Sequence, residues 1–124
     1  MLTKMLIYVW KEAEKESDTL TIDYGKYYKN SEKNIKKHYN ELNMLEKIKT
    51  HVKQCNNYIE LKNNPISKMY GFEQLKYELN NYYSFNLCKN GGKIRLIVSI
   101  NDVEQEVILE YISVDHYLDF KNKL

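Results

Sequence analysis

Apolar residues along this chain keep helical spacing in the first half and strand spacing in the second. Leu2, Met5, Leu6, Val9 and Ala13 fall three and four apart with charged residues between them. They predict an amphipathic helix to about Glu16, although Leu6 to Trp10 alone also suits a strand. Residues 19–24 alternate and are rich in β-branched side chains, which predicts a first strand ended by Gly25. From Ser31, one apolar face runs through Ile35, Tyr39 and Leu42, then Leu45, Ile48, Val52, Cys55 and Ile59. Residues 31–62 are long for one globular helix, so a break near Asn43 into an antiparallel pair is expected. Asn63, Asn64 and Pro65 then stop the helix.

In the second half, residues 83–89 alternate as a strand, and Asn90, Gly91 and Gly92 predict a hairpin turn because glycine tolerates positive φ. Residues 93–100 give the next strand, with Ile94, Leu96 and Val98 on one face and Arg95, Ile97 and Ser99 on the other. Asn101 and Asp102 turn the chain, and residues 106–113 give a further strand. The expected class is α+β: an N-terminal helix or strand and a helical hairpin packed on one face of a twisted antiparallel sheet of about four strands. Ile94, Leu96 and Val98 should face the helices, and Arg95 the open side.

At 124 residues the chain suits one domain. Hydrophobic residues at 43 % and charged residues at 29 % mark it as globular. The longest apolar run, Met5 to Trp10, is far short of a membrane span, and no signal-peptide cleavage pattern follows it, which points to the cytoplasm. Cys55 and Cys88 lack a CxxC pattern and read as buried free thiols. His38 and His51 read as solvated side chains on a polar helical surface, and no metal or cofactor is expected.

The net charge of +2 says less than its distribution. Between Lys26 and Lys53 stand eight lysines against three glutamates, a stripe suited either to a phosphate backbone or to a solvated helix face. Arg95 is the single arginine among nineteen basic residues, so guanidinium geometry at that position invites a specific reason.

Four polar positions stand out in the second half. Glu73 lies in the link before the meander, Arg95 sits in mid-strand, and His116 and Tyr117 follow the last strand. A carboxylate, a guanidinium and an imidazole on one concave face suit RNA cleavage by internal transfer. A base takes the ribose 2′-hydroxyl proton, an acid protonates the leaving 5′-oxygen, and a fork of donors holds the phosphorane charge. Structural roles compete with each: Glu73 as the cap of a short helix over residues 73–80, Arg95 as a sheet-face cation, His116 as a surface histidine.

The segments "FEQLKYELNNYYSFNL" (Phe72 to Leu87), "GGKIRLIVSI" (Gly91 to Ile100) and "VILEYISVDHYLDF" (Val107 to Phe120), in that order and spacing, resemble the RelE/ParE superfamily of bacterial toxins. "LTIDYGKYYKNSEKNIKKHY" (Leu20 to Tyr39) would supply the family's first strand and helix. The resemblance implies one RelE-like domain over residues 1–124, with residues 1–17 as an N-terminal extension. The Glu, Arg and terminal His-Tyr set is similar to YoeB-like members, which implies a ribosome-dependent mRNA endoribonuclease of a type II toxin–antitoxin system. Carried over by motif, Glu73 would be general base, Arg95 the phosphate stabiliser and His116 general acid, and Tyr117 would stack on or orient the substrate. Lys76 and Lys93 would contact RNA, as would Lys33, Lys36 and Lys37 from the lysine stripe. The implied partners are a cognate antitoxin, the ribosome and mRNA, with no membrane and the oligomeric state open. Two other readings stay open: a ParE-like toxin that inhibits DNA gyrase by binding, and a non-catalytic member acting as an interaction module.

Overall fold

A computed structural model describes residues 19–88 and 92–124. The helix expected up to about Glu16 lies outside them, as do Asn90 and Gly91 of the expected turn. The chain runs from strand β1 (Thr21–Tyr24) through helix α1 (Tyr28–Ser31) and a 3-10 turn (Glu32–Ile35) into helices α2 (Tyr39–Gln54), α3 (Tyr58–Asn63) and α4 (Pro65–Met69). Strand β2 (Glu73–Gln74), a 3-10 turn (Tyr77–Leu79), strands β3 (Tyr82–Asn86), β4 (Arg95–Asn101) and β5 (Glu106–Ser113), and helix α5 (Leu118–Lys121) complete it. No helix among the described residues is long and apolar enough to cross a membrane.

The class is α+β as expected, but the sheet has five strands, not four, and it is mixed. Its order is β1-β5-β4-β3-β2, with β1 parallel to β5 and the other pairs antiparallel. The unforeseen strand is β2, whose two residues are too few to display a period. Gly71, at φ 73°, starts it: the chain turns there with a position for Cβ only 3.0 Å from Asn86 Cβ.

The helical hairpin also differs from expectation. The break falls at residues 36–38, and Asn43 lies inside α2. Its cause is a long-range tie. Ser31 Oγ accepts the Ile112 N–H at 2.8 Å, and Asn34 Nδ2 donates to the Ile112 carbonyl at 3.0 Å. The first helical piece is thereby fastened beside β5, and the chain must turn before α2 can run under the sheet. Tyr39 is consequently exposed, and α2 buries Leu45, Ile48 and Val52 instead. The helix then ends at Gln54. Asn57 caps α3 by accepting the Glu60 N–H while Glu60 accepts the Asn56 N–H, so Leu61 is buried and Ile59 exposed.

The helix-side core joins Leu45, Ile48, Val52 and Leu61 to Phe85, Leu96, Val98, Val107, Leu109 and Ile112. Ile94 packs against it, and Ile97 faces the other way, as the alternation predicts. A bulge beside Ile97 and Val98 lets β5 present Glu110 and Tyr111 in succession on the open face. That face carries a second cluster, Leu75, Leu79, Ile97, Tyr111 and Phe120, with Tyr27, Tyr82 and Tyr117 packed against it.

Candidate functional site

Sheet register assembles the open face. Glu73 pairs with Ser84, Ser84 with Ile97, and Ile97 with Tyr111; in the next row, Asn86 pairs with Arg95 and Arg95 with Ser113. Residues two apart on one strand share a face, so Glu73, Ser84, Arg95 and Ser113 all stand on the side away from the helices. Over that side the chain builds a cleft of about 470 Å³. One wall is residues 73–79, with Glu73, Lys76 and Tyr77; the other is residues 116–121, with His116, Tyr117 and Lys121.

The second wall is held by a turn that no glycine eases. His116 and Tyr117 both have positive φ, 64° and 82°. Three of the four described non-glycine residues with positive φ, Tyr77, His116 and Tyr117, line this cleft. Such backbone persists where surrounding bonds over-determine it, and it gathers at functional sites. Here the bonds are visible. Buried Ser113 accepts the Tyr117 N–H at 2.8 Å and donates to Asp119 Oδ1 at 2.5 Å. Asp119 Oδ2 also accepts the Val114 N–H, and Asp115 accepts the Asp119 N–H. That last contact holds the Asp115 carboxyl below its usual range. The Tyr117 hydroxyl lies 3.2 Å from Ser84 Oγ, and its ring packs edge-on to His116 with centroids 4.8 Å apart.

Across the cleft, Lys121 Nζ meets Glu78 Oε2 at 2.6 Å, and this contact lowers the Glu78 pKa. Burial raises the pKa of Tyr82 and of Tyr111, so both phenols of the open-face cluster stay neutral.

Of the residues singled out from sequence, Glu73, Lys76, His116 and Tyr117 meet in this cleft. Arg95 shares its face but is not among the lining residues. It is half-buried, and its Nη1 donates to Asn86 Oδ1 at 3.3 Å and to the carbonyls of Gly92 and Ile94. The Cα atoms of Arg95 and Glu73 are separated by two strand spacings and two residues, roughly 12 Å. Lys93 is exposed beside β4, away from the cleft lining. Lys33, Lys36 and Lys37 are exposed on and after the first 3-10 turn and do not line it either.

Tyr77, Glu78 and Lys121 were not anticipated. The two lysines that follow "YLDF" were the available signal for Lys121 once α5 is folded back; nothing local marks Tyr77, whose φ is that of a glycine position.

His51 corrects another expectation. It is buried, not solvated: its Nε2 lies 2.7 Å from Ser67 Oγ and 3.9 Å from Cys55 Sγ, and burial lowers its pKa. Cys55 is buried and free, and burial pushes its thiol up to about 11. Cys88 is free but half-buried. Among the described residues, no group of three or more His, Cys, Asp and Glu side chains is placed to hold a metal ion.

The fold has solved counterparts. YafQ from E. coli strain BL21(DE3) is similar with TM-score 0.55 and 19 % identity, over 81 % of this chain and 98 % of YafQ. A YoeB/ParE toxin from Agrobacterium tumefaciens gives TM-score 0.55 and 10 % identity, over 77 % of this chain and 98 % of that one. A chain of the E. coli DinJ-YafQ toxin-antitoxin complex gives TM-score 0.58 and 17 % identity, over 81 % and 97 %. No family model matches the sequence, and neither does any curated protein. The fold is shared with these solved YafQ and YoeB/ParE toxin structures.

Proposed function

We propose that this chain is the toxin of a toxin–antitoxin pair and cuts mRNA on the ribosome. The observation that carries this reading is the convergence of Glu73, Lys76, His116 and Tyr117 in one open cleft on the helix-free face. In the proposed reaction, the Glu73 carboxylate takes the 2′-hydroxyl proton and the 2′-oxygen attacks the adjacent phosphorus. A 2′,3′-cyclic phosphate forms as the bond to the 5′-oxygen breaks, and that oxygen takes a proton from the His116 imidazolium. Tyr117, tethered to Ser84 and Ser113, orients the nucleotide. Lys76 supplies positive charge beside the strand, and Lys121 adds to it once the phosphate displaces Glu78. Arg95 reaches the phosphate only after releasing Asn86 and the hairpin carbonyls, so substrate binding is expected to turn it.

A cognate antitoxin would silence the protein by covering this face. One neighbour was solved as a toxin–antitoxin complex, and an acidic segment that folds on binding suits a lysine-rich surface. The second reading, a ParE-like toxin that docks on DNA gyrase, is favoured by one observation: Arg95 lies outside the cleft lining, bonded to Asn86 and the hairpin carbonyls. Induced expression followed by primer extension on cellular mRNA separates the two. New 5′ ends within coding regions, lost on Arg95→Ala and His116→Ala, are expected. Growth arrest with intact mRNA in the unaltered protein would instead support docking.

A further inference from the structure

We infer that Lys26, Tyr27 and Lys123 form a second RNA-binding subsite, which holds the backbone of a single strand where it leaves the cleft. This inference rests on the ribonuclease reading above. Lys26 Nζ lies 5.0 Å from the centre of the Tyr27 ring, and Lys123 Nζ lies 5.9 Å from it. One lysine follows β1 and the other comes from the last residues of the chain, so tertiary structure brings both cations to one ring. The ring itself is fixed: Tyr27 is half-buried against the open-face cluster that contains Phe120 and Tyr111, the cluster Tyr117 also packs on. A π face holds an ammonium by its quadrupole, which localises both charges on flexible stems that would otherwise wander.

These cations have no carboxylate of their own among the described residues, where the ion pairs are Lys49–Glu46 and Lys121–Glu78. The acids of the adjoining tail are occupied elsewhere: Asp119 accepts from Ser113 and Val114, Asp115 accepts from Asp119, and Glu78 is held by Lys121. Two like charges beside one ring repel each other, and an anion between them removes that cost. Lys121, in the cleft wall, stands two residues before Lys123. Lys121 is itself paired with Glu78 across the cleft, so among the described residues Lys123 and Lys26 are the unpaired cations that lie next beyond that wall. A polymer with one negative charge per nucleotide fits such a pair. The contact is to phosphate, so it carries no sequence preference.

The test measures binding of the purified full chain to two uncleavable 2′-O-methyl RNAs, a trinucleotide that spans the cleft alone and a decanucleotide that extends beyond it. The combined variant Lys26→Gln, Lys123→Gln is compared with a charge-matched control, Lys62→Gln, Lys68→Gln, on exposed positions of α3 and α4. The expected result is a roughly tenfold loss of affinity for the decanucleotide, with a plot of log K against log salt shallower by about 1.4. Trinucleotide affinity and the control variant should stay near the unaltered protein. If the unaltered protein binds neither RNA, this inference is overturned, while the ribonuclease reading, whose substrate lies on the ribosome, stands or falls by cleavage of ribosome-bound mRNA. If it binds both, and the Lys26/Lys123 variant matches the control on the decanucleotide, the subsite alone is overturned.

Discussion

The two faces of the sheet use the same alternation for opposite ends. On the helix side, the central inward positions of β3, β4 and β5 are apolar and sealed: Phe85, Leu96, Val98, Val107, Leu109 and Ile112 are all at or below 1 % exposure, with Tyr83 and Ile100 half-buried beside them. On the open side, the small cluster around Ile97, Tyr111 and Phe120 covers only part of the sheet. Glu73, Ser84, Arg95 and Ser113 occupy the remaining positions of the same rows. The helix face holds the fold together, and the candidate chemistry stands where packing stops. The two histidines repeat the contrast: His51 is enclosed by Ser67, Cys55 and Tyr70, whereas His116 is exposed at a strained turn over the cleft.

This contrast is broken most severely by cutting into the sealed face. Phe85 is wholly buried and packs on Phe72 with tilted rings 4.7 Å apart, so Phe85→Ala should cost about 3–5 kcal/mol and lower the thermal midpoint by more than ~10 °C. A urea or thermal melt checks it, and a change under ~1 kcal/mol would mean the helix-side core is not the main source of stability.

A smaller effect sharpens the comparison of the histidines. Burial lowers the His51 pKa below its ordinary 6.5, so the unfolded chain binds this proton more readily than the folded one. The contribution is present above pH 6.5 and is lost as pH falls through the lowered value. Melts across pH 5 to 8 should show stability declining below about pH 6.5, and His51→Gln should flatten that part of the curve. An unchanged slope would place the pH dependence in other groups.

How much of this was legible in the sequence follows from the range of the interactions involved. The face assignments in β4 were readable because each rests on a period-2 pattern within a few residues, and the bounds of β5 were readable for the same reason. The bend after Ile35 was not, because its cause is Ser31 and Asn34 bonding to Ile112, far along the chain. Strand β2 has no period to read, and its pairing with β3 is fixed by Gly71 and by Asn86 beneath it. In the site, Glu73, Lys76, His116 and Tyr117 were found through motif order. The backbone turn that aims His116 and Tyr117 was invisible, since neither residue type advertises positive φ. Arg95 was placed on the correct face, but its side chain follows the hairpin carbonyls, which no alternation pattern encodes. Lys121 enters the cleft only because Phe120 is drawn into the open-face cluster.

The central claim is that the open cleft cleaves RNA with Glu73 as base and His116 as acid. It is tested most directly by adding purified protein to ribosomes programmed with a defined mRNA and following cleavage for the unaltered chain, Glu73→Gln and His116→Ala. Glu73 and His116 are exposed, so each variant should keep the unaltered thermal midpoint. Each should cut about 10²–10⁴-fold more slowly, and the unaltered protein should leave a 2′,3′-cyclic phosphate on the upstream fragment. Intact mRNA with the unaltered protein, or undiminished cleavage by both variants, would contradict the account.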